Sequence, residues 1–115
     1  MPTAPAIDVS HYTYRVTWSA EDDEFVATVA EFPSLSWLAP SQQEALQGLA
    51  DLLAGTVEDM TTAGEEIPQP LSDRAYSGKF NLRVGEALHR DLAIRAAEER
   101  LSLNQYVVRK LSANP

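Results

Sequence analysis

Lys79, Phe80, Asn81, Leu82, Arg83 and Val84 alternate polar and apolar without a break near the end of the chain. Successive side chains of a strand point to opposite faces, so this order predicts a β-strand with Phe80, Leu82 and Val84 on one face and Lys79, Asn81 and Arg83 on the other. Leu88, Leu92, Ala93 and Ala96 then predict a helix over residues 86–100. Ser102 and Gln105 have the spacing of a capping box that opens a second helix through Leu111. One strand and two short helices, roughly 37 residues, cannot bury enough apolar surface to offset the entropy of ordering them. The segment is therefore expected to fold only with a second copy.

If two copies pair their strands antiparallel, the ladder bonds are satisfied and the apolar faces close over a shared core. That core is expected to hold Phe80, Leu82, Val84, Leu88, Leu92, Leu103, Val107 and Leu111 of both chains. The other face of the ribbon carries two sets of Lys79, Asn81 and Arg83, and a two-stranded ribbon fits the major groove of DNA. Arg and Lys donate to guanine O6 and N7 and Asn can pair with adenine, so these three side chains are the expected base contacts. Ser102, Leu103 and Asn104, at the start of the second helix, are the expected phosphate contacts, because helix N-termini present free amides and partial positive charge.

Charge divides along the chain as this reading requires. Net charge is −8 overall, yet residues 1–73 hold 13 acidic side chains against Arg15 alone, whereas residues 74–115 hold 4 acidic and 8 basic ones. An acidic part joined to a basic part points to two modules with different partners. The chain has no cysteine and two histidines, His11 and His89, far apart in sequence. Disulfides and thiolate metal sites are thereby excluded, and no metal or cofactor is expected. With no long apolar run and no leader-like start, the protein is expected in the cytoplasm, away from membranes.

The acidic part has its own pattern. Residues 1–11 show no periodicity and are expected to be flexible. Tyr12, Tyr14, Val16 and Trp18 alternate with polar residues and predict a strand; Glu21, Asp22 and Asp23 form a turn, and residues 25–30 return as a second strand. A short third strand is expected over residues 35–39. Ser41 and Glu44 open a helix whose apolar stripe is Leu46, Leu49, Ala50, Leu53, Val57 and Met60, and Gly64 is placed to end it. The expected division is a domain over residues 12–70, a linker over 71–78 with the option of one more short strand within residues 65–78, and a domain over 79–112.

Phe80-Asn81-Leu82-Arg83, a helix, and then Ser102-Leu103-Asn104-Gln105 together resemble the ribbon-helix-helix repressors, including Arc, which is itself a standard example of a β-strand reader of DNA grooves. The acidic part resembles the HicB antitoxins in its hairpin, Phe32-Pro33, the Ser41-x-x-Glu44-Ala45 helix start, and Glu65-Glu66-Ile67-Pro68. Ser34, Ala39 and Arg100 depart from positions where that family commonly has glycine, and Trp37 is large for its strand. The resemblance implies an α+β chain. Its first domain would be a partial ribonuclease-H-like β-β-β-α domain, and its second a ribbon-helix-helix dimerising through an intermolecular antiparallel ribbon. It further implies an antitoxin, not an enzyme, that neutralises a small basic HicA-type mRNA-cleaving toxin and represses its own operon. The expected partners are a second copy, as a dimer or a tetramer of two dimers, and double-stranded operator DNA.

Two other readings use the same residues. The chain could be a solitary regulator whose first domain oligomerises or senses a ligand. A nuclease would instead need Asp22, Asp23 and Glu24, or Asp51, Glu58 and Asp59, to converge on a divalent metal. The first trio sits in a turn and the second on the solvent face of a helix, so this reading is the weaker of the two.

Overall fold

A computed structural model describes residues 7–113. The chain is α+β, a three-stranded antiparallel sheet followed by helices, and divides into two compact units, Met1–Tyr76 and Ser77–Pro115. In the first unit β1 (Tyr14–Ser19), β2 (Glu24–Val29) and β3 (Ser36–Ala39) lie in that order, with α1 (Gln42–Ala63) packed on one face. The second holds α2 (Glu86–Glu98) and α3 (Leu103–Ser112).

The first hairpin follows from its turn chemistry. Ser19 Oγ donates to the Asp22 carboxylate at 2.9 Å, and Asp23 takes a left-handed φ of 54°, which Asp tolerates better than most residues. Tyr14 pairs with Val29 and Ser19 with Glu24, so Tyr14, Val16, Trp18, Phe25, Ala27 and Val29 share the helix side. Ala39 and Trp37 join that side through their pairing with Phe25 and Ala27. On α1, Ala45, Leu49 and Leu53 are fully buried at four-residue spacing against Ala27, Val29, Phe32 and Ala39. Leu46, expected in this stripe, is exposed instead, because the helix turns about 100° per residue and Ala45 takes the facing position.

Ser41 Oγ accepts from the Glu44 amide at 3.1 Å and starts α1 as predicted. Gly64, at φ 72°, ends it: its amide reaches Thr61 O and the Glu65 amide reaches Met60 O. Gly48 answers a different need. A Cβ there would stand 2.0 Å from the Trp37 indole, so the ring lies directly on the helix backbone. Glycine within a helix costs about 1 kcal/mol relative to alanine, and this contact is what the missing side chain permits.

Three expectations are corrected. The ladder of the first strand begins at Tyr14, but Tyr12 is still buried, edge-on to Phe32 with ring centres 5.2 Å apart. Order extends into the N-terminal stretch: Val9–His11 makes a 3-10 turn, capped by Asp8 accepting from the Ser10 amide. The part of that stretch over residues 1–6 lies outside the described residues. The connection after α1 holds no further strand among the described residues; Leu71–Asp73 is a 3-10 turn that belongs to the first unit.

Side-chain bonds explain that last point. Glu31 accepts from the Leu71 amide at 2.9 Å and from the amide and hydroxyl of Thr13, while Tyr12 Oη donates to Pro68 O at 2.7 Å. Burial alone would raise the Glu31 carboxyl, but those amides and that hydroxyl together outweigh it and hold the group below the usual carboxylate range. His11 Nδ1 lies 2.8 Å from Asp73 Oδ2, a hydrogen bond that raises the imidazole above its ordinary value.

Candidate nucleic-acid interface

The second unit begins with Ser77, whose hydroxyl accepts from the Lys79 amide and donates to Lys79 O, both at 3.1 Å. Residues 79–84 continue without a ladder partner among the described residues, so the predicted strand is not formed within one chain. A strand needs hydrogen-bonding neighbours, and a single copy offers this segment none.

Between α2 and α3 the backbone turns at Arg100. Its φ is 59°; its amide reaches Ala97 O at 3.0 Å and the Leu101 amide reaches Ala96 O at 2.9 Å, the paired bonds of a Schellman motif. That position favours glycine, because a Cβ in the left-handed region costs about 1–2 kcal/mol. Arg100→Gly is expected to stabilise the unit by about 1 kcal/mol, part of the relief being lost to glycine's freer unfolded chain. Urea unfolding should show a higher midpoint at unchanged slope.

α3 opens with both halves of its capping box, Ser102 Oγ accepting from the Gln105 amide at 3.0 Å and Gln105 Oε1 from the Ser102 amide at 2.9 Å. Ala96 and Tyr106 are the buried residues of the helix pair, and Lys110 Nζ sits 5.4 Å from the Tyr106 ring centre. Neither buried residue is among the expected core positions. Tyr106 follows Leu103 by three and precedes Lys110 by four, a helical spacing that could have found it.

The expected core positions instead border a groove of about 870 Å³. Phe80, Leu82, Val84, Leu92, Leu103, Val107 and Leu111 all line it, together with Val108, which the sequence pattern did not single out. Leu88 does not line it, yet is exposed on α2. Much of this apolar surface is open: Phe80 is 79% exposed, Leu82 60% and Leu111 61%. Val84, Leu92, Leu103 and Val107 are half-buried.

Lys79, Asn81 and Arg83 are all exposed and border the same groove, so the three expected base contacts and the apolar alternates come from one short segment. Ser102 and Asn104 are exposed at the start of α3, where the Ser102 hydroxyl is engaged in the cap. The first unit differs in charge, with 13 carboxylates against Arg15 and Arg74. There Asp22 and Asp23 stand in the hairpin turn and Glu24 begins β2, while Asp51, Glu58 and Asp59 are exposed along α1. Among the described residues, no three carboxylate or imidazole groups are arranged to hold a metal ion. Among the same residues, no helix is long and apolar enough to cross a membrane.

None of the curated proteins and none of the solved structures compared matches the chain. A family model does: the one described as HicB family matches residues 62–111. The match runs from the end of α1 through the connection and across α2 and nearly all of α3, leaving the sheet outside it. It takes in the segment 79–84, the helix pair and the groove, and over these 50 of the 115 residues the chain is similar to the HicB family.

Proposed function

We propose that the protein is an antitoxin that binds and neutralises a HicA-type mRNA-cleaving toxin and represses its own operon by binding operator DNA. It acts as a binding protein and not as an enzyme. The observation that carries the DNA half is the open groove. Phe80, Leu82 and Leu111 expose apolar surface that a soluble single chain has no use for, beside three side chains suited to base edges. A second copy pairing residues 79–84 antiparallel would cover the apolar groups and turn Lys79, Asn81 and Arg83 outward as a ribbon for the major groove. The amides of Leu103 and Asn104 at the start of α3 would meet phosphate.

The toxin half rests on the family match and on charge. A toxin that grips RNA presents positive potential, and 13 carboxylates on the first unit complement it, speeding encounter and covering the RNA-binding surface.

Arg83→Ala tests the base-reading role. Each dimer would lose two contacts of about 1–3 kcal/mol, so affinity for the DNA upstream of the protein's own gene should fall by at least about 30-fold. The dimer itself should remain intact. A gel shift at fixed salt that shows unchanged affinity refutes the assignment. Binding by the unsubstituted protein should also weaken steeply as salt rises.

A further inference from the structure

The connection that follows α1 is fastened to the rest of the first unit by two kinds of chemistry. Its upstream part is held at Pro68, whose carbonyl accepts from Tyr12 Oη, and at Leu71, whose amide donates to Glu31. Burial pushes the Tyr12 hydroxyl up, while the amides donating to Glu31 hold its carboxyl below the usual range, so neither group changes protonation near neutral pH. Downstream, Arg74 donates twice to Gln69 O and Tyr76 Oη donates to Leu71 O, bonds that stay within the connection. Among the described residues, the hydrogen bonds that tie residues 72–76 to the body of the unit all end on His11.

His11 makes this contact with both backbone and ring. Its carbonyl accepts from Ser72 Oγ at 3.2 Å, and ring Nδ1 lies 2.8 Å from Asp73 Oδ2. The other ring nitrogen, Nε2, faces Asp8 Oδ2 at 3.6 Å. A neutral imidazole has one donor and one acceptor nitrogen, so in that form one of the two turns a lone pair toward a carboxylate. Imidazolium, a donor at both nitrogens, is the species that fits this slot. Asp8 belongs to the N-terminal 3-10 turn and Asp73 to the turn Leu71–Asp73. The neighbouring charged groups, Glu31 and Arg74, are engaged elsewhere, by the Thr13 and Leu71 amides and by Gln69 O. The bond to Asp73, and then the charges of Asp73 and Asp8, raise the imidazole above its ordinary value.

We propose that His11 is a proton-operated clasp: protonated, it fastens residues 72–76 to the first unit, and on losing its proton it releases them and lengthens the free tether leading into the second unit. Closed, the chain leaves the first unit after Tyr76; open, it leaves after Leu71, which Glu31 still holds. The released residues add up to about 17 Å of reach between the two units. The sign follows from the raised imidazole. The clasp is complete below the ordinary histidine value and is lost as pH rises through the raised one. Because the ring is 49% exposed and its carboxylates 57% and 39%, the contact is weak enough to free a segment without unfolding the sheet.

Trypsin cleavage of the full chain after Arg74, read by mass, measures release. Dividing each rate by that of His11→Ala at the same pH cancels the protease's own response. At about pH 6 the unsubstituted chain should be cut about threefold more slowly than His11→Ala, and by about pH 8.5 equally fast. That change should share its midpoint with the His11 ring followed by NMR, and Asp73→Asn should lower the ring's midpoint. His11→Gln supplies an amide donor that does not titrate, so its ratio should stay constant across the range. A ratio for the unsubstituted chain that does not vary with pH overturns the proposal, as does a His11→Gln profile that matches it. Hydrogen exchange at β2 amides should remain slow throughout; loss of that protection together with the cleavage change would mean that the whole unit opens, and would equally overturn the clasp.

Discussion

Leu82→Glu is expected to abolish operator binding and to strip α2 and α3 of most of their protection from hydrogen exchange. Leu82 is 60% exposed in one chain and lines the groove with Phe80, Val84 and Leu111, so it gains most of its burial only from a partner. Burying a leucine contributes about 1.5–3 kcal/mol, and two copies lose it together. Placing two carboxylates in the shared apolar space adds a desolvation penalty, for an association weakened by well over about a thousandfold. Among the described residues of the second unit only Ala96 and Tyr106 are buried, too little to hold two short helices in place. Circular dichroism should therefore show helix loss confined to the length of α2 and α3, while the α1 signal persists. Unchanged exchange protection in both helices would mean that the unit is stable alone and that its groove has some other purpose.

The residues that make this expectation possible were legible in the sequence. Strict alternation over residues 79–84 predicts a two-faced strand, which a single chain does not form, and the shortness of the two helices behind it is the reason a partner is proposed. Seven of the eight positions assigned to the shared core border one groove. Ala96 and Tyr106 were not legible in the same way. Their burial depends on how α2 turns onto α3, and that angle is set by Arg100 adopting φ 59° where an arginine side chain gives no hint of it.

The sheet was read with similar success and a characteristic error. Alternating Tyr14, Val16 and Trp18, the acidic turn and the Ser41 cap located β1, β2 and the start of α1 to within two residues. The stripe on α1 was placed one position off at its start, since Leu46 outranks Ala45 in hydrophobicity although Ala45 is the one that faces Ala39 and Ala27 in the packed core. Small residues in a tight layer carry little hydrophobic signal; only packing density reveals them. Trp37 shows the same principle reversed: a residue too large for its strand by sequence is accommodated because Gly48 leaves the helix backbone bare beneath it. Neither half of that pair announces the other.

Leu49→Ala should separate the two activities. Leu49 is completely buried in the N-terminal half of α1, in one core cluster with Ala27, Val29 and Ala39, and it is among the largest fully buried side chains in the described residues. Truncating a buried leucine costs about 2–5 kcal/mol, the upper end where neighbours cannot collapse into the space. The core cluster around it includes Ala27, Ala39 and Ala45, short side chains with little reach to fill a cavity, so a loss of about 4 kcal/mol is expected. At roughly 0.05–0.15 kcal/mol per residue a unit of this size has about 4–11 kcal/mol of stability in all, and at the lower end of that range the first unit should approach half-unfolding at ordinary growth temperature. The second unit has its own contacts and, on the proposed function, would pair with a copy of its own, so operator binding should be retained within about threefold. Toxin neutralisation should fail, because the acidic surface exists only on the folded sheet and helix. Parallel measurement of operator affinity and of toxin inhibition decides the matter: equal loss of both would show that the units fold as one cooperative body and that function is not divided between them as their charge is.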